Sequence, residues 1–387
     1  MKLQNICNQV TNKISSEKVT LADYVTTDCI LQNKEGRTIA TNLPPQKCSL
    51  THYKKGDILI ANIRPYLRKI WYADCEGGCS ADVLVFRAND NHSSDFLYSV
   101  LMQDSFYDYV MKAPKGSKMP RGDINHIMNF PIIRDNLSEV KIGKLITSID
   151  KKIEINRQIN RNLEELAKQI YDYWFVQFDF PNEEGKPYKS SGGKMVWNDV
   201  LKREIPDGWE VNLLKNIIEI KRGITITEKQ TTLGTIKVVA AGLTYSYLHG
   251  ESNRTANCIT VSGSGANAGF VNLWREPIFA SDCSTVQFDN DIDTILCYHT
   301  LKKQEKRFYQ ISHKSAQPHI LPSDIGEIPM VFPPNHIKGS ISSFFIKTNK
   351  QIAENTIEVE HLLSLRDNLI PLLMNGQVTL NSCLSDD

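Results

Sequence analysis

The chain has 387 residues, 41% hydrophobic and 23% charged, with a net charge of +1. That length holds two or three domains with real cores, the composition is that of a soluble globular protein, and no apolar run reaches the length of a membrane span. The charge excludes a small basic protein that coats DNA, but not one that meets phosphates through local patches. Met-Lys-Leu-Gln-Asn-Ile-Cys7 lacks the apolar core and cleavage site of a signal peptide. Nine scattered cysteines fit reduced cytosolic thiols better than a disulfide framework.

Residues 1 to about 136 read as mixed and strand-rich. Asp57–Ile63 and Ala81–Arg87 are short β-branched runs bounded by Gly, Pro and Asp. Cys75-Glu-Gly-Gly-Cys79 looks like half a zinc site, but no second pair follows at ligand spacing, so no metal ligand is assigned. Phe96–Lys112 carries apolar residues at helical spacing and predicts one helix. Residues 140–176 predict a single long helix, uninterrupted by Pro or Gly from Lys144 to Phe175. As heptads, its a positions are Ile142, Ile149, Asn156, Leu163 and Ile170, and its d positions are Leu145, Lys152, Ile159, Leu166 and Tyr173. Asp179–Lys194 reads as an exposed linker, and Asp207-Gly-Trp209 opens a second strand-rich domain, with Cys258–Ser262 and Gly269–Trp274 its clearest strands. A last helix runs to a stop at Asn375-Gly376.

The chain repeats itself. Ile142–Ile153 returns 199 residues later as Ile341–Ile352, and Asn156, Leu163, Leu166 and Ile170 pair with Asn355, Leu362, Leu365 and Leu369. Ser117-x-x-Pro120 returns as Ser315-x-x-Pro318 at an offset of 198. Asn falls at the same a position in both helices, where a polar partner would fix register. The two helices either pack on separate domains or on each other; the shared defect favours the second. The chain then leaves one domain along the first helix and returns along the second, antiparallel. About 34 residues at roughly 1.5 Å each give a spacer near 50 Å, against about 34 Å for a turn of B-DNA.

Gly263-Ser-Gly-Ala-Asn-Ala268 imitates a dinucleotide fingerprint, but the following Gly269–Trp274 reads as a strand where that fingerprint needs a helix. The loop is either a backbone cradle for a ligand such as phosphate, with Ser264 and Asn267 as candidates for DNA contact, or a plain hairpin turn. No nucleophile elbow, His-Glu-x-x-His motif or Walker loop is present, and Phe332-Pro-Pro-Asn335 only approximates an amino-methyltransferase base pocket. The sequence offers no catalytic centre. Lys112–Arg121 holds four cations and no acid; its counterpart is His313–His319. Lys115, Lys118, Arg121, Asn125 and His126 in the first copy, and Lys314, Gln317 and His319 in the second, are candidates for DNA contact. Arg64, Arg68 and Lys69, with Lys221 and Arg222, are weaker candidates. Such runs are often only solvated loops; their repeated placement favours contact.

These phrases resemble one family, the specificity (S) subunit of type I restriction–modification systems. Asn156–Ile170 with Trp174-Phe-Val-Gln-Phe178 is similar to its central helix and exit, and Tyr188–Trp197 with Arg203–Glu210 to the opening of its second target recognition domain. Asn62–Tyr66 and Gly265–Trp274 resemble phrases within such domains, and Leu365–Gly376 the closing helix. The first domain lacks the Pro-x-Gly-Trp opening of residues 206–209 and begins instead near Val19–Val25.

The expected fold is α+β: two strand-rich target recognition domains separated by two long antiparallel coiled-coil helices, with a pseudo-twofold repeat. The expected divisions are 1–136 (first recognition domain), 137–178 (central helix), 179–205 (linker), 206–335 (second recognition domain), 336–378 (C-terminal helix) and 379–387 (tail). Ile149, Asn156, Leu163, Leu166, Ile170, Asn355, Leu362, Leu365 and Leu369 are the candidate helix and subunit interface. The resemblance implies a non-catalytic cytoplasmic subunit whose domains each read half of a bipartite site in double-stranded DNA. It implies two methyltransferase subunits docked on the helices, and restriction subunits with translocase and endonuclease activity. S-adenosylmethionine, ATP and Mg are expected on those partners, with no cofactor on this chain. The alternatives are the specificity component of a methylation-only or fused system, a coiled-coil protein adaptor without DNA binding, and a nucleotide-dependent enzyme at the Gly263 loop.

Overall fold

The computed structural model describes residues 1–115, 119–133, 139–312 and 318–380. It forms two compact units: Met1–Ile155 with Val359–Asp387, and Asn156–Glu358.

Unit 1 contains β1 (Cys7–Gln9), β2 (Lys13–Ser15), β3 (Tyr24–Val25), β4 (Ser49–Tyr53), β5 (Ile58–Ala61), β6 (Ile70–Tyr72), β7 (Gly77–Cys79) and β8 (Val83–Ala88). They form two sheets, ordered β1-β8-β5-β6 and β2-β4-β7-β3. The apolar runs of β5 and β8 do not alternate with polar residues, because their sheet is covered on both faces. Ile58, Ile60, Leu84 and Phe86 meet the helical layer; Leu59, Ala61, Val83 and Val85 meet Val25, Tyr53 and Cys79 of the other sheet. That burial pushes the Cys79 thiol up to about 12, so it stays protonated.

The helical layer is α1 (Ser94–Leu101) and α2 (Asp104–Val110), two helices where the sequence predicts one. Gln103 is extended, and the break lets Phe106, Tyr107 and Val110 enter the core that Phe96, Leu97 and Val100 already occupy. A two-stranded ribbon, β9 (Pro114–Lys115) with β10 (Arg121–Gly122), precedes α3 (Ile124–Met128) and the long α4 (Glu139–Tyr171). The unit does not begin near Val19 as expected. Leu3 N–H donates to Phe130 O at 2.9 Å, Lys2 bridges Pro131, and Leu3 and Ile6 are fully buried.

Unit 2 contains β11 (Met195–Asn198), β12 (Arg203–Pro206), β13 (Glu210–Leu213), β14 (Lys221–Arg222), β15 (Ile236–Val239), β16 (Tyr247–His249), β17 (Cys258–Ser262), β18 (Val271–Trp274), β19 (Ile278–Ala280) and β20 (Cys283–Val286). Then follow α5 (Asp291–Lys303), α6 (Glu305–Ser312), α7 (Pro322–Gly326), β21 (Pro329–Phe332) and α8 (Asn335–Met374). The main sheet, β14-β20-β17-β18, repeats the plan of unit 1, with β17, β18 and β20 in the places of β5, β6 and β8. Leu214 N–H donates to Ile328 O at 3.0 Å, as Leu3 does to Phe130. The matched phrases are Leu3-Gln-Asn-Ile6 and Leu214-Lys-Asn-Ile217.

The segment expected to be an exposed linker is partly folded into unit 2. β11 and β12 form a hairpin, and Phe180 stacks on Tyr188 and Trp209. Phe180 and Ile205 join the core formed with Tyr171, Trp174, Phe175 and Phe178. The stacked rings of Phe180, Tyr188 and Trp209 hold this stretch against the core, while Trp197 of β11 stays exposed.

Both helices change partner along their length. In unit 1, Ile142 and Ile146 of α4 enter the core, and Ile149 and Ile153 pack on Val359, with Leu362, Leu363 and Leu369 beside them. Arg366, 2% exposed, donates to Asp150 Oδ1 at 2.7 Å, and Ile370, Leu373 and Met374 complete the core. In unit 2, Ile341 and Phe345 of α8 enter the core. Asn156 Nδ2 donates to Glu358 Oε2 at 2.7 Å, and Asn355 Nδ2 to Asn160 Oδ1 at 2.8 Å. Both shared asparagines are therefore buried with polar partners, in an antiparallel pair.

The heptads hold only in the middle. Leu163 and Ile170 are half-buried, while Leu166 and Leu365 are 43% and 47% exposed and do not line the seam. Ala167 and Arg366, one residue further on, face inward instead. There each helix packs on the core of a unit, and Ala167, Ile170, Tyr171 and Trp174 follow that surface at helical spacing. Both helices are also perturbed at matching places: α4 passes into a π-turn at Asp172–Val176, and α8 contains Pro371. Gly376, in the left-handed region, ends α8, with Gln377 N–H donating to Leu372 O at 2.9 Å.

Removing Arg366 as Arg366→Ala strands Asp150 in the helix pair and should destabilise unit 1 by about 3 kcal/mol, read as a fall in hydrogen-exchange protection around Ile149–Ile153. A second expectation concerns His299, which stacks on Tyr171 at 5.2 Å. Burial lowers its pKa from 6.5 to about 4, with Arg275 and Lys168 adding to the shift and Asp172 opposing it. The unfolded chain therefore takes up this proton first. Unit 2 should lose about 3 kcal/mol as pH falls from about 6.5 to about 4, and nothing from this group at higher pH. Acid titrations of His299→Leu should lack that loss.

Candidate nucleic-acid interface

In both units the loop after the central strand is tied to the end of the basic run. In unit 1, Ile63 bridges Arg121, and Arg64 N–H donates to Pro120 O at 2.8 Å. Asn62 clasps Gly122 from the side: its Oδ1 accepts from Gly122 N–H at 3.0 Å, and its Nδ2 donates to Gly122 O at 3.3 Å. In unit 2, Ser264 bridges His319, Gly265 N–H donates to Pro318 O at 3.2 Å, and Ile320 N–H to Gly263 O at 3.0 Å. One frame is thus built twice from unlike residues.

The loops end differently. In unit 1, Arg64 and Arg68 flank the turn Pro65–Leu67, both with left-handed backbones (φ 53° and 51°). In unit 2, Gly265 and Gly269 are the left-handed residues (φ 73° and 90°); Gly265 opens the turn Gly265–Asn267, and Gly269 comes after it. The Gly263 loop is a hairpin between β17 and β18, with no helix after it, so the dinucleotide geometry is absent there.

The candidate side chains are not equally available. Arg64 is exposed, while Arg68 pairs with Asp104 at 3.0 Å and Lys69 donates to Thr27 O at 2.6 Å. Arg121 pairs with Asp82 at 3.0 Å, at the surface. Asn125 is exposed on α3. His126 stacks on Tyr109 at 4.1 Å and hydrogen-bonds its carbonyl. Lys115 lies in β9, opposite Arg121. Lys118, Lys314 and Gln317 lie outside the described residues.

In unit 2, Ser264 Oγ hydrogen-bonds Asp282, and His319 is exposed. A cleft beside the loop is lined by Asn267, Lys306, Tyr309 and Gln310. Lys221 and Arg222 are exposed on the edge strand β14. The carboxylates Asp82 and Asp282 carry no motif that marks them in the sequence, although they lie 200 residues apart at the same place before β8 and β20. Exposed cations and amides on a rigid loop are suited to phosphates and base edges.

The family model for the type I restriction modification DNA specificity domain matches residues 1–165 and again 206–361. The chain belongs to this family. Its two copies are the internal repeat, and recognition of DNA for a restriction–modification system is its role. The chain is 22% identical to the MjaIX specificity subunit of Methanocaldococcus jannaschii, over 93% of this chain and 86% of that one. It is also 22% identical to the HindI specificity subunit of Haemophilus influenzae, over 92% and 94%. In fold it is similar to the type I system S subunit of M. genitalium, with a TM-score of 0.63 at 13% identity, covering 98% of this chain and 96% of that one.

The two loop glycines should respond differently to substitution. A Cβ at Gly269 would sit 2.5 Å from Phe308 Cβ, whereas nothing lies within 4 Å of one at Gly265. Gly269→Ala should destabilise unit 2 by more than about 2 kcal/mol, and Gly265→Ala by only about 1, from the backbone alone. Thermal denaturation of the two variants checks the order.

Proposed function

We propose that the chain is a non-catalytic subunit in which each unit reads one half of a bipartite, asymmetric site in double-stranded DNA. The observation that carries this reading is the repeated loop frame: the same backbone ties hold Arg64 and Arg121 in one unit and Gly265 and His319 in the other. Two unlike tips on one frame suit two unlike half-sites. The basic segments beside them hold phosphates, and the paired helices set the unread spacer.

Methyltransferase subunits dock on the helices in this reading. Support comes from apolar residues left in solvent: Ile159 and Leu166 on α4 in unit 2, and Leu365 and Leu372 on α8 in unit 1. Restriction subunits complete the assembly in the cytoplasm. S-adenosylmethionine, ATP and Mg belong to those partners, and this chain supplies sequence recognition alone. No helix among the described residues is long and apolar enough to cross a membrane.

The test is binding of the assembled complex to its DNA at several salt concentrations, by fluorescence anisotropy. Replacing Lys115, Lys118 and Arg121 with Ala should weaken binding to all sequences. The salt slope should fall by about 0.9 for each phosphate that is no longer neutralised. An unchanged slope removes these residues from the interface.

A further inference from the structure

We propose that Arg64 reads a guanine in the half-site recognised by unit 1, and that unit 2 makes no equivalent contact. The inference rests on the DNA-reading role given above, but its argument comes from the loop.

Arg64 sits in a left-handed backbone at φ 53° and ψ 64°. An L side chain is crowded there, and glycine is not. Unit 2 places Gly265 at this position, held by the same carbonyl contact, so the frame accepts glycine. Packing does not explain the arginine, because its side chain is exposed. Nor does pairing. Arg68, Lys69 and Arg121 around it each have a partner, while no hydrogen bond or ion pair holds the Arg64 guanidinium among the described residues. An unfavourable backbone kept under an unengaged side chain points to a ligand for that side chain.

The base of the side chain is fixed. Arg64 N–H donates to Pro120 O at 2.8 Å, its carbonyl accepts from Leu67 N–H at 2.9 Å, and the next residue, Pro65, is buried. A planar fork carried on a fixed backbone suits bidentate contact with O6 and N7 of guanine in the major groove. A phosphate would also accept the charge, but a lysine would hold a phosphate equally well, and this separates the two ligands.

Methylome sequencing of cells that carry the subunit with its modification partners provides the test. The wild type should give one bipartite motif. Arg64→Gly and Arg64→Lys should both relax a single guanine position in one half, with preference there falling about tenfold to a hundredfold, and should leave the other half unchanged. Purified Arg64→Gly should melt no lower than the wild type. An unchanged motif in both variants overturns the proposal. So does an Arg64→Lys variant that keeps the wild-type motif while Arg64→Gly loses methylation evenly across both halves, which is the pattern of a phosphate contact. A wild type that yields no bipartite motif sinks the functional reading instead.

Discussion

A buried amide must find its hydrogen-bond partner, and between two helices few registers offer one. The bonds from Asn156 to Glu358 and from Asn355 to Asn160 impose this condition on unit 2. Arg366 and Asp150 impose a similar one on unit 1. Apolar residues such as Ile149, Ile153 and Val359 supply the burial but would tolerate a slip of the seam. The polar groups would not, because a slip leaves them buried and unpaired. α4 and α8 each contribute residues to both cores, so each unit's core includes part of both helices.

With the frame held, the loops are free to differ. The ties from Arg64 to Pro120 and from Gly265 to Pro318 use only main-chain groups. Main-chain bonds do not depend on side-chain identity, so the tip of each loop can change while its position stays. Asp82 and Asp282 show the same separation: each accepts from the loop through its carbonyl, and spends its carboxylate on whatever the local copy offers, Arg121 in one and Ser264 in the other.

Much of this is legible from residue pattern. The helices, the repeat, the two shared asparagines and the hairpin after Cys258–Ser262 follow from periodicity and from Gly and Pro placement. The errors have physical causes. A heptad count puts Leu166 and Leu365 inside because it assumes that one partner continues, whereas each helix exchanges a helical partner for a sheet-backed core. Asp179–Lys194 reads as solvated because Gly, Ser and Pro outnumber its aromatics, yet Phe180 with Tyr188 is enough to pin it. The opening of unit 1 is misplaced by a search for Pro-x-Gly-Trp; the phrase that repeats is Leu-x-Asn-Ile. At the loops, residue type identifies Arg64 but cannot rank it above Arg68 or Lys69, since availability is set by Asp104 and the Thr27 carbonyl, which only the folded chain brings near.

The division of the chain into one continuous and one interrupted unit has a consequence for how the protein is made. Unit 2 runs without a break from Asn156 to Glu358, so its whole core is available once that stretch has been synthesised. Unit 1 has its residues 1–155 made before unit 2, but lacks Ile370, Leu373 and Met374 until the stretch after unit 2 has been synthesised. On the ribosome, its sheet and the face of α1 and α2 must wait, part of their apolar surface uncovered, through the translation of all of unit 2. The interrupted unit is completed only after the one inserted in it, and for that interval its apolar surface needs protection from other chains.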